Sequence, residues 1–283
     1  MGFYKIGDIF ITIDSEIRLN KYSIMEKFRC DNNVEKGVIY KIRISGPYIL
    51  DEEKLIYKNG NIRIYDYGEK IFRIYGTNDL FGDYACVEIR RDSSEYICNI
   101  YKGKEKAFYS TKQLLELLVM EDVFLKNKGI ILHSSNVMFE NKSILFTAPS
   151  GTGKSTQADL WNKVLNAKII NGDKTLIKKI DGKYFAMGIP FCGSSKICEN
   201  EKYPIRIIVY LKQGNYNNIR EISKSEAYKK IISEVTINIW DQEFFNKVSD
   251  IVLDLINSVK IIEFTCLPNE DAVKVLKDYI EGT

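Results

Sequence analysis

Through the first third of the chain, apolar and polar residues alternate at period two. The runs IFITID, GVIYKIRIS, NIRIYDYG, KIFRIYG, YACVEIRR and EYICNIYKG are short, rich in β-branched and aromatic residues, and separated by turn residues. They predict a mostly antiparallel β-rich module over residues 1–105. At Ser110 the period changes. STKQLLELLVMEDVFLKN sets Leu114, Leu115, Leu117, Leu118 and Val123 at helical spacing behind a Ser or Thr cap, which predicts a helix opening a larger unit over 106–283. Strand-like runs follow in GIILHSSNVMF, SILFTA, AKII, KTLIKKI, KYFAMG, IRIIVYLK and KIIEF. Helical periodicity appears in STQADLWNKVLN, SEAYKKIISEV, FFNKVSDIVLDLINSV and PNEDAVKVLKDYI. This mixture predicts an α/β or α+β core with helices packed on a sheet.

Composition narrows the partners. A chain of 283 residues that is 45% hydrophobic can bury a sizeable core. Its 41 basic and 38 acidic residues leave a net charge of +3 with no long basic block, so nucleic acid is not an expected partner. No apolar run approaches the roughly 18 residues that cross a bilayer, and the N-terminus does not read as a signal peptide; a cytoplasmic protein with no membrane partner is expected. The six cysteines form no CxxC pair, which argues against structural zinc and a disulfide framework. The chain has one histidine, His133.

The chemistry concentrates at APSGTGKST, residues 148–156, between the strand-like SILF and a helical run. Except that Ala148 replaces the first glycine, it fits the phosphate-binding pattern GxxxxGK[ST]. Ser150, Gly151, Thr152, Gly153, Lys154, Ser155 and Thr156 are thus the expected nucleotide-binding residues. Gly151 and Gly153 can take positive φ and turn backbone N–H groups inward, while the helix that follows adds its N-terminal dipole. Lys154 can reach the outer phosphates, and the Ser155 hydroxyl can join a magnesium ion's coordination sphere.

Asp173 follows the first strand after the loop's helix, where an acid that organises the metal would stand. The same stretch also reads as a hairpin, with Asn171-Gly172 turning AKII into KTLIKK. Both readings stay open and are compatible. His133 closes GIIL, just upstream of the loop's own strand, where it could be a metal ligand, a proton-handling group or a structural residue. In GIPFCGSS, the backbone around Gly193 and the hydroxyls of Ser194 and Ser195 suit an acceptor substrate or phosphate oxygens, unless the stretch is a surface turn around Pro190. Cys192 lacks a second histidine to activate it as a nucleophile.

LHSSN, FTAPSGTGKSTQADL and INGD together resemble the nucleotide core shared by HPr kinase/phosphorylase and ATP-dependent phosphoenolpyruvate carboxykinase. The resemblance spans roughly residues 110–213. It implies that His133 matches the histidine that binds the catalytic metal in the carboxykinases. Asp173 would match the acid that acts as base in HPr kinase and helps hold metal in the carboxykinases. Lys174 stands where the family has a second acid, which speaks against a two-metal arrangement and against phosphorolysis. AMGIPFCGSSKICEN occupies the place of the LEVRGLG stretch of HPr kinase, and the carboxykinases' substrate arginines find no counterpart. The nearest match is to HPr-kinase-like proteins of bacterial biosynthetic clusters, some of which phosphorylate a serine of a ribosomally made peptide. The resemblance thus implies a kinase using ATP or GTP with Mg2+, acting on a hydroxyl of a small molecule or of a peptide or protein serine, and a homo-oligomer. Asp173, His133 and Lys154 would carry the catalysis, and Ser155 and Asp173 would hold the metal. The alternatives are an ATP-sensing module with slow hydrolysis and phosphoryl transfer of the carboxykinase type.

Overall fold

The computed structural model describes residues 1–17, 23–31, 37–76, 82–109 and 111–282. The fold is mixed α/β, with two eight-stranded sheets. The chain divides into compact units at Val123/Phe124, whereas the change of sequence pattern suggests a boundary at 105/106.

In the first unit, strands β1 (Gly2–Ile6) and β2 (Ile9–Ser15) precede a one-turn helix, α1 (Ser23–Glu26). They are followed by β3 (Val38–Ser45), β4 (Leu55–Asn59), β5 (Ile62–Asp66), β6 (Lys70–Gly76), β7 (Asp83–Arg90) and β8 (Glu95–Tyr101). The sheet order is β1-β2-β3-β8-β7-β6-β5-β4. Its pairings are mostly antiparallel, but β2–β3 and β3–β8 are parallel. Strands β1 and β4 have no counterpart among the runs picked out by periodicity.

The single helix expected over 110–127 is two: α2 (Thr111–Leu117) and α3 (Met120–Lys126). Ser110, one of the expected caps, lies outside the described residues. The helix breaks at Val119, where φ is +38°. The carbonyls released there are taken by side chains from the sheet: Tyr75 Oη donates to Glu116 O at 2.6 Å, Cys98 Sγ to Leu117 O at 3.5 Å and Tyr40 Oη to Leu118 O at 2.5 Å. Buried backbone acceptors must find donors, and tertiary donors replace helical ones at this break. The leucines read as the core face, Leu114, Leu115, Leu117 and Leu118, are all buried.

The second unit begins with β9 (Gly129–Phe139), β10 (Lys142–Thr147) and α4 (Lys154–Leu165). Strands β11 (Lys168–Asn171), β12 (Lys174–Ile180), β13 (Lys183–Gly188), β14 (Lys202–Gln213) and β15 (Asn218–Glu221) follow. The chain continues through α5 (Lys224–Ile232), α6 (Gln242–Ser258), β16 (Lys260–Cys266) and α7 (Glu270–Glu281). The sheet runs β10-β9-β12-β13-β14-β16-β15. Strand β14 also lies parallel to β10, and β16 lies parallel to β14.

Period-two alternation sorts the strand residues between two cores. Leu145 and Ile208 point into a core formed with α5 and α6, whose Phe244, Val248, Val252 and Leu255 make one buried stripe. Their neighbours Ile144, Phe146, Ile207 and Val209 point the other way, into a core formed with α4 and α7. Each fully buried side chain of this size contributes roughly 1.5–3 kcal/mol through removal of apolar surface from water. Among the described residues no helix is long and apolar enough to cross a membrane.

Trp161 of α4 anchors the second core. Fully buried, it packs edge-on against Phe139 at 5.4 Å and tilted against Phe146 at 6.2 Å between ring centroids. Among the described residues its indole N–H has no hydrogen-bond partner. Trp161→Ala should cost ~3–5 kcal/mol. Trp161→Phe keeps much of the ring contact and deletes the unpaired donor, so it should cost less than ~2 kcal/mol. Urea unfolding of the two variants checks this order.

Candidate functional site

The glycine loop joins the C-terminal end of β10, a strand parallel to its neighbour β14, to the N-terminus of α4. Gly151 and Gly153 lie at φ +80° and +113°, in the region glycine reaches without strain. Helices α5, α6 and α7 are each closed by a side chain: Ser223, Asp241 and Asn269 accept from Glu226 N, Phe244 N and Ala272 N. The N-cap of α4 is Gly153, with no side-chain cap. The first amides of α4 therefore keep their donors for an external acceptor, at the positive end of the helix dipole.

Lys154 is buried, and its Nζ donates to Ala148 O at 2.8 Å and Pro149 O at 3.2 Å, so the ammonium sits over the loop. Burial lowers its pKa, and the fields of Glu234 and Asp173 oppose that shift. Ser150, Gly151, Ser155 and Thr156 are exposed. The Thr152 hydroxyl is engaged within the loop, donating to Pro149 O at 2.8 Å. Gln213, at the end of β14, donates to Gly151 O at 3.2 Å and braces the loop from the neighbouring strand.

His133 does not close a strand but stands midway along β9, where the strand changes partners. Gly129–His133 pair with β12, and Ser134–Phe139 pair with β10. The end of β10 is tied to this point because Thr147 Oγ1 donates to His133 O at 2.9 Å. Strand β11 also pairs with β9, at Asn136–Met138. The hairpin that the pattern allowed between AKII and KTLIKK is absent: both strands lie along β9, one after the other, and Asn171–Asp173 form the step between them.

Asn171 sets that step. Its Oδ1 accepts from Asp173 N at 3.0 Å and Lys174 N at 3.2 Å, while its Nδ2 donates to Ile189 O at 2.6 Å. These bonds turn the Asp173 carboxylate toward His133, with Oδ1 3.6 Å from Nε2. The imidazole beside it is the largest influence holding the Asp173 carboxyl below its usual range; burial opposes this, and Lys174 and Lys154 reinforce it.

The other imidazole nitrogen meets a residue that the sequence reading missed. Glu234 Oε2 lies 3.4 Å from His133 Nδ1, and its side chain is only 7% exposed. The pattern SEAYKKIISEV reads as helix through Val235, yet α5 ends at Ile232. Residues 234–236 instead run beside β9, with His133 N donating to Glu234 O and Thr236 N to Ile131 O, both at 2.9 Å. No local signal marks Glu234, because its partner comes from a strand distant in sequence.

The 189–198 stretch also reaches this place. At Gly193, φ is +57° and a Cβ would stand 2.8 Å from Asp173 Cβ, so only a glycine passes there easily. The Ser195 hydroxyl is bound within its own turn, donating to Cys192 O at 2.7 Å and accepting from Ile197 N at 3.2 Å. These bonds shape the loop. The Ser194 side chain lies outside the described residues, and Cys192 is buried. Lys174 Nζ lies 5.3 Å from the Phe191 ring centroid, on the same loop.

Among the described residues no trio of His, Cys, Asp or Glu forms an all-protein metal cage. The Asp173 carboxylate and the Ser155 hydroxyl are hard oxygen donors of the kind magnesium takes, one or two at a time, with phosphates and water completing its shell.

No protein family's model matches the chain, and no curated protein matches it. Among solved structures, the chain is similar to the HPr(Ser) kinase/phosphatase from Coxiella burnetii. The identity is 11%, the match covers 54% of this chain and 93% of that one, and the TM-score is 0.31. A likeness this distant carries no argument about activity.

The lowered pKa of Asp173 has a consequence for stability. A carboxyl whose folded pKa lies below its unfolded value, about 3.9, stabilises the fold above that value. The contribution is lost as pH falls through the folded pKa. The stability difference between the wild type and Asp173→Asn should therefore be level near neutrality and shrink below about pH 4. Urea midpoints measured across pH check this; a difference that grows on acidification would contradict it.

Proposed function

We propose that this chain is a phosphotransferase that moves the γ-phosphoryl group of ATP or GTP to a hydroxyl, on a small molecule or on a peptide or protein serine. One observation carries the reading: Lys154 of the glycine loop and the ionised Asp173 lie within each other's field, and His133 holds Asp173 on one side and Glu234 on the other. A phosphate cradle alone needs no such acid, whereas transfer to a hydroxyl needs a group to receive its proton.

Phosphates would lie against the Gly151–Thr156 amides, and Lys154 would neutralise charge on the outer phosphate. The acceptor oxygen would attack phosphorus from the Asp173 side. The new O–P bond forms as the bond to the bridging oxygen breaks, the nucleoside diphosphate leaves with that electron pair, and the hydroxyl proton passes to the Asp173 carboxylate. A carboxyl of lowered pKa is a weak base, which suits a loose transition state in which the proton moves late. Ser155 and Asp173 would hold the magnesium ion, which supplies charge neutralisation on the phosphates when bound. The loop around Gly193, pressed against Asp173, would border the acceptor. The exposed Ser150 and Thr156 add donors at the rim of the cradle.

Asp173→Asn should lower transfer by about 10²–10⁴-fold and weaken nucleotide binding far less than that, through the lost magnesium contact. Lys154→Ala should weaken nucleotide binding by roughly 10–100-fold, the value of a charge-assisted contact. Calorimetry with ATP and GTP and transfer from γ-labelled ATP to a cell extract, fractionated into small molecules and peptides, measure both effects. Tight nucleotide binding with no labelled acceptor in any fraction would replace the kinase reading with that of a nucleotide-sensing module.

A further inference from the structure

Strands β10, β14 and β16 are parallel, so the turns that follow them share one edge of the sheet. The strands do not end level. Thr147, the last residue of β10 before the glycine loop, is opposite Tyr210, and β14 runs on for three residues to Gln213 before it turns. At about 3.3 Å per residue, roughly 10 Å of strand stands beside the loop. Gln213 Nε2 touches the loop there, donating to Gly151 O at 3.2 Å. Strand β16 ends level with this point, Cys266 opposite Gln213.

The turns after β14 and β16, residues 214–217 and 267–269, are bonded into one ledge. Asn217 Nδ2 donates to Asn269 Oδ1 at 3.2 Å, and its Oδ1 accepts from Leu267 N at 2.8 Å. Asn269 Oδ1 also accepts from Ala272 N at 3.0 Å, which fixes it at the start of α7. Gln157, buried in the first turn of α4, donates to Leu267 O at 3.2 Å and to Cys266 Sγ at 3.3 Å. At Gly214 a Cβ would stand 2.3 Å from Thr265 Cγ2, so the first turn is pressed against β16. On this braced ledge Tyr216 is 57% exposed. Single exposed aromatics are ordinary, but this one is three residues from a side chain that touches the phosphate loop, on a turn tied to that loop's own helix.

We propose that residues 214–217 and 267–269 form a nucleoside subsite in which the Tyr216 ring stacks on a purine base. The proposal rests on the reading above, because that reading sets the direction of the nucleotide. The γ-phosphate must face Asp173, which stands on the β9 side of β10, so the nucleoside leaves the loop toward the other neighbour of β10, which is β14. Ligands of such sheets lie beyond the carboxyl ends of the parallel strands, where this ledge is. Three residues of chain reach at most about 11 Å, so Tyr216 stays within a nucleotide's length of the loop. A tyrosine suits the place: its ring covers the flat face of a base while its hydroxyl stays in water. Stacking of this kind supplies affinity without reading the edge of the base.

Calorimetry of the full chain with Mg2+ tests the subsite, using inorganic tripolyphosphate and whichever of ATP and GTP binds the more tightly. Tyr216→Ala should weaken the nucleotide by roughly 5–150-fold, the usual loss when one stacked aromatic is removed, and leave tripolyphosphate unchanged. Tyr216→Phe, which keeps the ring, should recover the nucleotide affinity. An equal loss for both probes in Tyr216→Ala is what a role in shaping the loop would give, and it overturns the proposal, as does undiminished nucleotide binding. Wild-type binding of tripolyphosphate without either nucleotide overturns the subsite and leaves the phosphate cradle standing, whereas binding of no probe overturns both. If nucleotide binds but no acceptor is ever labelled, the kinase reading fails and the two probes still decide the subsite.

Discussion

The hydrogen bonding of strand β9 is the constraint on which the second unit depends. On one side it pairs with β10 and so fixes where the glycine loop begins. It also carries β11 and β12, and so fixes the step at which Asp173 stands. At Leu132 it meets Val235, which brings Glu234 to the histidine. One strand therefore aligns the loop, the half-buried acid and the buried acid, and His133 lies where these pairings change over. Moving β9 by one residue would send His133 to the opposite face of the sheet, because strand side chains alternate.

The site's electrostatics follow from that alignment. A carboxylate as buried as Glu234 must be compensated, and the imidazole at 3.4 Å and the field of Lys154 provide the compensation. Asp173, less buried and surrounded by His133, Lys174 and Lys154, stays ionised. Lys174 thus takes part in the site electrostatically. Binding would require an anion to meet Lys154 and the free amides of α4 while two carboxylates remain nearby.

Much of the architecture was legible because local patterns and tertiary structure agree. The alternating runs became strands, the late helical runs became α5, α6 and α7, and the glycine pair lies at positive φ. The disagreements share one cause, which is that distant donors and acceptors outbid local ones. The helix over 110–127 breaks where Tyr75, Cys98 and Tyr40 capture its carbonyls. The hairpin that Asn171-Gly172 allowed gives way because β9 offers both flanking strands a partner. Helix α5 stops short of Glu234 because β9 supplies the bonds that another helical turn would have made.

The sequence by itself determined the glycine loop, its place between a strand and a helix, and the residue types available around it. These depend on backbone freedom and side-chain chemistry, which are properties of short segments. Tertiary structure alone decided that Asn171 aims Asp173, that Ser195 serves its own turn, and that Glu234 closes the far side of His133. Those relations are made by sheet pairing between segments far apart in the chain. Sheet pairing depends on backbone hydrogen bonds common to every residue, so it leaves little trace in the residues it brings together.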